Sequence, residues 1–338
     1  MRIGVPKETK EGEARVGLVP REVAMLAADG HEVRVQSGAG ARIAEHDDAY
    51  RAAGARIVSP AEAWGAELVV KVKELQDADF GNVRGPQALF CFHHLVGAPQ
   101  RTRRLAAAGV TAIAYEMLRD AAGLFPMIAP MSVIAGRMAV EAATKHLGHA
   151  PASVLVLGAG HAGSSAAEAA RAVGAKVTVL RRSTATPQAI EHAALEADLV
   201  VGAVFTPGEA TPKLLPRSLV SRMRRGAMIV DVSIEEGGVA ETSRRTTHAE
   251  PTFVAEGVVH YCVSNMPAAE PAGAAQALSA AALPYTRELA SKGIARALRE
   301  DPALRAAVLI WKGRVNHPGI AREAGLAYTA LSDRDLDD

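Results

Sequence analysis

The apolar positions of this chain fall in short runs separated by segments with a helical repeat, and this alternation continues over most of its length. Residues 20–28 predict a helix closed by Gly30, followed by an alternating strand at 31–36. Residues 47–53 predict a helix ended by Gly54, with a short strand at 55–58. Ser59-Pro60-Ala61-Glu62 combines a capping box with proline at the first helical position, a clear helix start. Residues 68–73, 88–94 and 110–115 predict further strands. Strands alternating with helices at this spacing mean a parallel α/β sheet.

A second sheet region follows a predicted hinge at Pro126 to Pro130 and a helix reaching about His146, which Ser132 is placed to cap. Strands are predicted at 153–157, 176–180, 199–204 and 228–233, with a helix at 161–173. An alanine-rich stretch from 272 to about 298 reads as helical apart from Pro284 and carries the chain back to the first lobe. The pattern predicts an α/β protein of two Rossmann-like parallel-sheet domains with a ligand cleft between them. Residues 1–128, completed by 282–338, form the substrate domain. Residues 129–281 form an inserted nucleotide domain, shortened after its second strand.

Composition narrows the classes. At 338 residues two domains are expected. Basic and acidic residues number 38 and 37, so no field is available to hold nucleic acid or an anionic membrane. Cys91 and Cys262 alone cannot build a disulfide framework or a cysteine-rich metal site, which suits a reduced cytoplasmic compartment. The N-terminus has no secretory h-region, and the charge-free stretch 121–136 is broken by proline and glycine, so no membrane helix is expected.

Residues 158–163 read Gly-Ala-Gly-His-Ala-Gly, directly after an apolar strand and opening a helix. In such a turn Gly158 permits the reversal, Gly160 removes the side chain that would block a pyrophosphate, and Gly163 lets helix and strand approach. The amides of the helix start, from His161 and Ala162 onward, then face the phosphates. The next strand ends in Arg181-Arg182-Ser183-Thr184, where NAD-binding folds place an acidic residue for the ribose. Two guanidiniums and two hydroxyls suit a 2′-phosphate, favouring NADP over NAD. Only sixteen residues, 181–196, precede Ala197-Asp198-Leu199. That is short for two crossovers and a strand, so one edge strand and part of an adenine pocket are expected to be missing.

In the first lobe, Arg15 follows the first strand, Lys71 and Lys73 share a face of another, and His93-His94 close an apolar run. An arginine and a lysine converging on a carboxylate beside a histidine suit reduction of a 2-oxo or 2-imino acid. The two histidines point to opposite faces, so one at most is catalytic. No cysteine or carboxylate lies at ligand spacing, and no metal is expected.

Together these motifs resemble alanine dehydrogenase and, more distantly, the nucleotide-binding subunit of proton-translocating transhydrogenase. The resemblance runs through Gly4-Val5-Pro6-Lys7-Glu8, Glu13-Ala14-Arg15-Val16, Lys71-Val72-Lys73-Glu74, His94-Leu95, Ala129-Pro130-Met131-Ser132, the glycine turn, Glu236-Gly237-Gly238, Asn265-Met266-Pro267 and His317-Pro318. It implies that Arg15 and Lys73 bind the substrate carboxylate and that His94 is the acid/base. Ser132, the 158–163 turn, Ala203, Val204, Asn265 and Met266 would line the cofactor. The family interconverts L-alanine and pyruvate plus ammonia, passing hydride to NAD, and the resemblance implies a homo-oligomer, a hexamer or dimer.

The chain departs from that pattern in places. Glu235 stands where the family has its second catalytic group, an Asp before a Gly-Gly pair, and Arg181 replaces the acidic ribose ligand. The expected activity is therefore an NAD(P)-dependent oxidoreductase of alanine dehydrogenase type. Alternatives are an NADPH-dependent reductase of another imine or hydrazone, and a non-catalytic nucleotide-binding relative.

Overall fold

Continuous apolar runs become the inner strands of two α/β sheets, in a computed structural model that describes residues 1–205 and 210–337. The chain divides into two units, Met1–Ile128 with Glu270–Asp338, and Ala129–Ala269.

The first unit holds β1 (Arg2–Val5), β2 (Glu32–Gln36), β3 (Arg56–Val58), β4 (Leu68–Val70), β5 (Ala88–Cys91) and β6 (Thr111–Ala114), all parallel. The second holds β7 (Ser153–Leu157), β8 (Lys176–Leu180), β9 (Leu199–Gly202), β10 (Met228–Asp231), β11 (Thr252–Ala255) and β12 (Val258–Tyr261). β13 (Val308–Trp311) and β14 (Arg314–Val315) return to the first sheet, whose order is β14-β13-β6-β5-β4-β1-β2-β3. The second sheet runs β11-β12-β10-β9-β7-β8. Strands buried on both faces, such as β4, β5 and β9, carry apolar residues throughout, whereas β2, nearer an edge, alternates.

Each sheet has an antiparallel margin that the sequence pattern did not predict. β13 runs antiparallel to β6 and to β14, and β11 antiparallel to β12. Both hairpins turn on two left-handed residues, Glu256-Gly257 and Lys312-Gly313, the backbone that two-residue hairpins need. Neither pair is the Asn-Gly or Asp-Gly that signals such a turn.

The capping box at Ser59 forms as expected: Ser59 N–H donates to Glu62, and Glu62 N–H to the Ser59 hydroxyl. Two expectations are corrected. Ser132 caps nothing, because the helix already starts at Ala129 and Ser132 lies in its first turn. The alanine-rich helix, Pro271–Lys292, runs through Pro284 and ends at Gly293, whose φ of 82° stops it. It lies wholly in the first unit, so the chain returns at Glu270 and not at residue 282. Ser279 fastens it to the helix Pro20–Ala28, accepting from Val19 N–H and donating to Glu22.

In the second unit the helices Ala129–Leu147 and His161–Ala172 cross closely. A Cβ on Gly136 would stand 2.0 Å from the Ala162 carbonyl oxygen, and the Ser165 hydroxyl donates to Val133 O at 2.7 Å. Gly136→Ala should therefore cost about 1–3 kcal/mol by overpacking. Gly81→Ala, with nothing within 4 Å of its added carbon, should stay within about 0.5 kcal/mol. Urea melts of both variants check this, and equal midpoints would contradict it.

Candidate active site

The loop after β1 carries Glu8, Thr9, Lys10, Glu13 and Arg15, and the loop after β4 carries Lys71, Lys73, Glu74 and Asp79. Buried charge draws the two together. The Lys71 ammonium, 1% exposed, sits 3.2 Å from Glu8 and 3.5 Å from Asp79 and lies over the Trp64 ring. Burial alone would pull its pKa down, but the two carboxylates outweigh that and keep it protonated. Glu8 also accepts the Val72 N–H at 2.7 Å, the Thr9 hydroxyl donates to Asp79, and Lys10 pairs with Glu74 at 2.6 Å. Lys71 and Lys73 thus do not share a face: β4 ends at Val70, and Lys71 turns into the core while Lys73 is half-buried over the Phe92 ring.

Arg15 is buried and forms a two-pronged pair with Glu13, Nε at 2.7 Å and Nη2 at 2.6 Å. Lys73 is near enough to Glu13, His94 and Glu116 to act on the charge of each.

β5 ends at Cys91, so the histidine pair is not strand. His93 is fully buried, with Nε2 at 3.1 Å from Leu89 O and 3.6 Å from Cys91 Sγ; burial pushes its pKa down to about 4. His94 is exposed and has φ 45°, a left-handed backbone that a residue with a Cβ seldom adopts. Its ring lies parallel to Phe92, with centroids 5.7 Å apart. Loss of water around the ring, and then the Lys73 ammonium, hold its pKa down to about 4 against the pull of Glu74. Because the residue is exposed, the neighbouring cation is the cause that persists once water enters. The ring is therefore neutral near pH 7 and keeps a lone pair on one nitrogen, but it is a weak base until an anion offsets the Lys73 charge.

In the second unit the glycine turn has the expected shape. Gly158 has φ 105°, and a Cβ there would meet Ala203 O at 2.2 Å. A Cβ on Gly163 would stand 1.9 Å from Gly158 O, so helix and strand do pack closely. Gly160, the residue before the helix, has nothing within 4 Å of an added Cβ and no side-chain cap, which leaves the helix start open to an anion. His161 is exposed there and Ala162 half-buried. Val204 N–H donates to Ser233 Oγ at 2.9 Å, joining the ends of β9 and β10.

Glu235 is exposed, and its Oε1 accepts the Asn265 N–H at 3.1 Å. Met266 is buried among core residues of this unit, so its side chain packs inward. Arg181, Arg182, Ser183 and Thr184 form an exposed turn in which Arg181 N–H donates to Thr184 Oγ1. β8 ends the sheet, with no strand beyond it among the described residues.

Sequence reasoning passed over Glu116, whose carboxylate accepts from His94 N–H at 2.7 Å and from His93 N–H at 3.1 Å. It also left Lys71 without its partners. The available signal was the dense opposite charge in 7–15 and 71–79, two short segments that each follow an apolar strand. Lys71→Met would strand two buried carboxylates and should cost about 3–5 kcal/mol in a urea melt; a loss under about 1 kcal/mol would contradict the pairing.

The family model described as "Alanine dehydrogenase/PNT, N-terminal domain" matches residues 4–135, and its C-terminal counterpart matches 130–192 and 180–318. The two C-terminal pieces overlap where β8 leads into the next helix, at the shortened crossover. Alanine dehydrogenase of Halomonas elongata is 41% identical, over 97% of this chain and 98% of its own length. That of Mycobacterium tuberculosis is also 41% identical, with the same shares covered. A solved L-alanine dehydrogenase structure matches with TM-score 0.90 and 39% identity, covering 96% of this chain and 99% of its own. A transhydrogenase of Sinorhizobium meliloti, 23% identical with TM-score 0.83 over 94% and 99%, shares the fold. No helix among the described residues is long and apolar enough to cross a membrane. The chain belongs to the alanine dehydrogenase/PNT family and is an oxidoreductase of the alanine dehydrogenase type.

Proposed function

We propose that the protein catalyses the reversible oxidative deamination of a small L-2-amino acid, with alanine and pyruvate as the default pair and NADP(H) as the preferred coenzyme. The observation that carries this reading is a depressed, neutral His94 beside Lys73, on the same sheet end as the buried Arg15–Glu13 pair. Substrate carboxylate is held by Lys73 and Arg15, which fixes C2 and leaves its amine towards the histidine.

The residues of the 158–163 turn, with Ala203, Val204, Asn265 and the backbone of Met266, fit a dinucleotide. The open helix start behind Gly160 receives the pyrophosphate, and Ser132 lies on the adjoining helix. When bound, the coenzyme would supply a hydride acceptor for C2 in deamination and a hydride donor in amination. His94 takes a proton from the water that adds to the substrate iminium, then gives it to the amine of the carbinolamine as ammonia leaves. The net change is amino acid, water and oxidised coenzyme to 2-oxo acid, ammonium, reduced coenzyme and one proton. Glu235, acidic and exposed, stabilises the iminium charge. Its length, one methylene beyond aspartate, alters the space left for the substrate and favours another imine or hydrazone as a second reading. The family resemblance supports a homo-oligomer.

The coenzyme preference rests on Arg181 and Arg182, exposed in a turn that runs Arg-Arg-Ser-Thr with no acidic residue. Two charge-assisted bonds to a 2′-phosphate favour NADP.

Steady-state rates with pyruvate plus ammonia and each coenzyme test the reading. Turnover with NADPH is expected, and no turnover with either coenzyme would end the alanine assignment. His94→Ala should lower kcat by about 10²–10⁴ with little change in coenzyme affinity. Arg181→Asp should shift the NADPH/NADH ratio of kcat/KM by about 10-fold or more towards NADH, and an unchanged ratio would make Arg181 a bystander.

A further inference from the structure

The strand ladder that organises β5 stops before the histidines. Phe92 N–H still donates to Val72 O at 3.0 Å, but beyond it neither flanking strand offers a carbonyl: β6 ends at Ala114, and Tyr115–Met117 winds into a 3-10 turn. The amides of His93 and His94 need an acceptor from elsewhere. Glu116 supplies it from that turn, with His94 N–H at 2.7 Å from Oε1 and His93 N–H at 3.2 and 3.1 Å from the two oxygens. On the other side of the same residue, Arg101 Nη1 donates to His94 O at 3.3 Å. Between these two grips the His94 backbone takes its left-handed φ of 45°, sending the His93 ring into the core and leaving His94 exposed against Phe92.

We propose that Glu116 is a positioning residue for the acid/base: by accepting hydrogen bonds from both amides it holds the left-handed turn that presents the His94 ring beside Lys73. The role is distinct from substrate binding, because the carboxylate is spent on backbone. It rests on His94 being the acid/base of the proposed reaction. A left-handed residue that bears a Cβ persists only where its surroundings over-determine it. Losing the acceptor relaxes residue 94 to an ordinary backbone and moves the imidazole, and a displacement of about 1 Å at a reacting group lowers turnover by about 10²-fold.

Three variants of the full-length protein separate this role from a merely structural one. The amide oxygen of Glu116→Gln still accepts, so kcat should stay within about fivefold of wild type. Glu116→Ala lacks an acceptor, and Glu116→Asp is one methylene short. Both should lower kcat about 30- to 100-fold while KM for the 2-oxo acid changes less than about threefold. Hydrogen exchange at the His93 and His94 amides, read by mass spectrometry, should speed up about tenfold or more in the alanine and aspartate variants and little in the glutamine variant. If Glu116→Ala does not fold, the contrast between glutamine and aspartate decides.

Unchanged exchange in the aspartate variant, a loss carried by KM alone, or a glutamine variant as impaired as the aspartate one would overturn the proposal. The exchange measurement needs no turnover. Wild-type inactivity on every 2-oxo acid, with exchange still governed by residue 116, would end the functional reading while supporting the grip on the histidine turn.

Discussion

An ammonium taken out of water has to be met by carboxylate, and in the first unit that requirement organises everything around the site. Lys71 lies wholly inside, so Glu8 and Asp79 must come to it. Glu8 arrives on the loop after β1 and Asp79 on the loop after β4, and Glu8 also takes the Val72 amide. The two loops are thereby fixed to each other, and Arg15 on one and Lys73 on the other inherit that fixed spacing. Lys10 with Glu74 closes the same seam nearer the surface. A cation buried in the core thus determines where Arg15 and Lys73 stand.

The second unit is organised by shape. Gly136 and Gly163 let backbone approach backbone, and Gly158 lets the chain reverse tightly against Ala203. At Gly160 the same type of residue leaves space open. Among the described residues the sheet ends at β8, beside this turn. The sheet therefore ends next to Arg181 and Arg182, while the glycine turn between β7 and its helix is complete.

Much of this was legible in the sequence because it rests on local rules. The apolar runs of the parallel strands, the capping box at Ser59, the glycine turn and the short crossover each depend on neighbours in the chain. What the pattern hid depends on partners far away or on uncommon turns. Lys71 and Lys73 look equivalent by alternation, yet strand β4 ends before both, and only the distant Glu8 and Asp79 explain why one is buried. Glu116 looks like a surface acid after a strand, and its role needs the neighbouring strand to stop two residues before His93. The hairpins at Glu256-Gly257 and Lys312-Gly313 escaped because their first turn residues are poor turn formers on their own. The helix through Pro284 escaped because its fastening to the helix Pro20–Ala28, through Ser279, overrides a local breaker.

The central claim is that this packing delivers a neutral imidazole next to a fixed cation. A pH titration of the histidine ring carbons by NMR, with His94 assigned by comparison with His94→Gln, measures it directly. Loss of solvent and the Lys73 ammonium lower the pKa, so the ring should remain neutral as the pH falls and take up its proton only near about 4. Protonation of His94 at the ordinary imidazole value of about 6.5 would contradict the account.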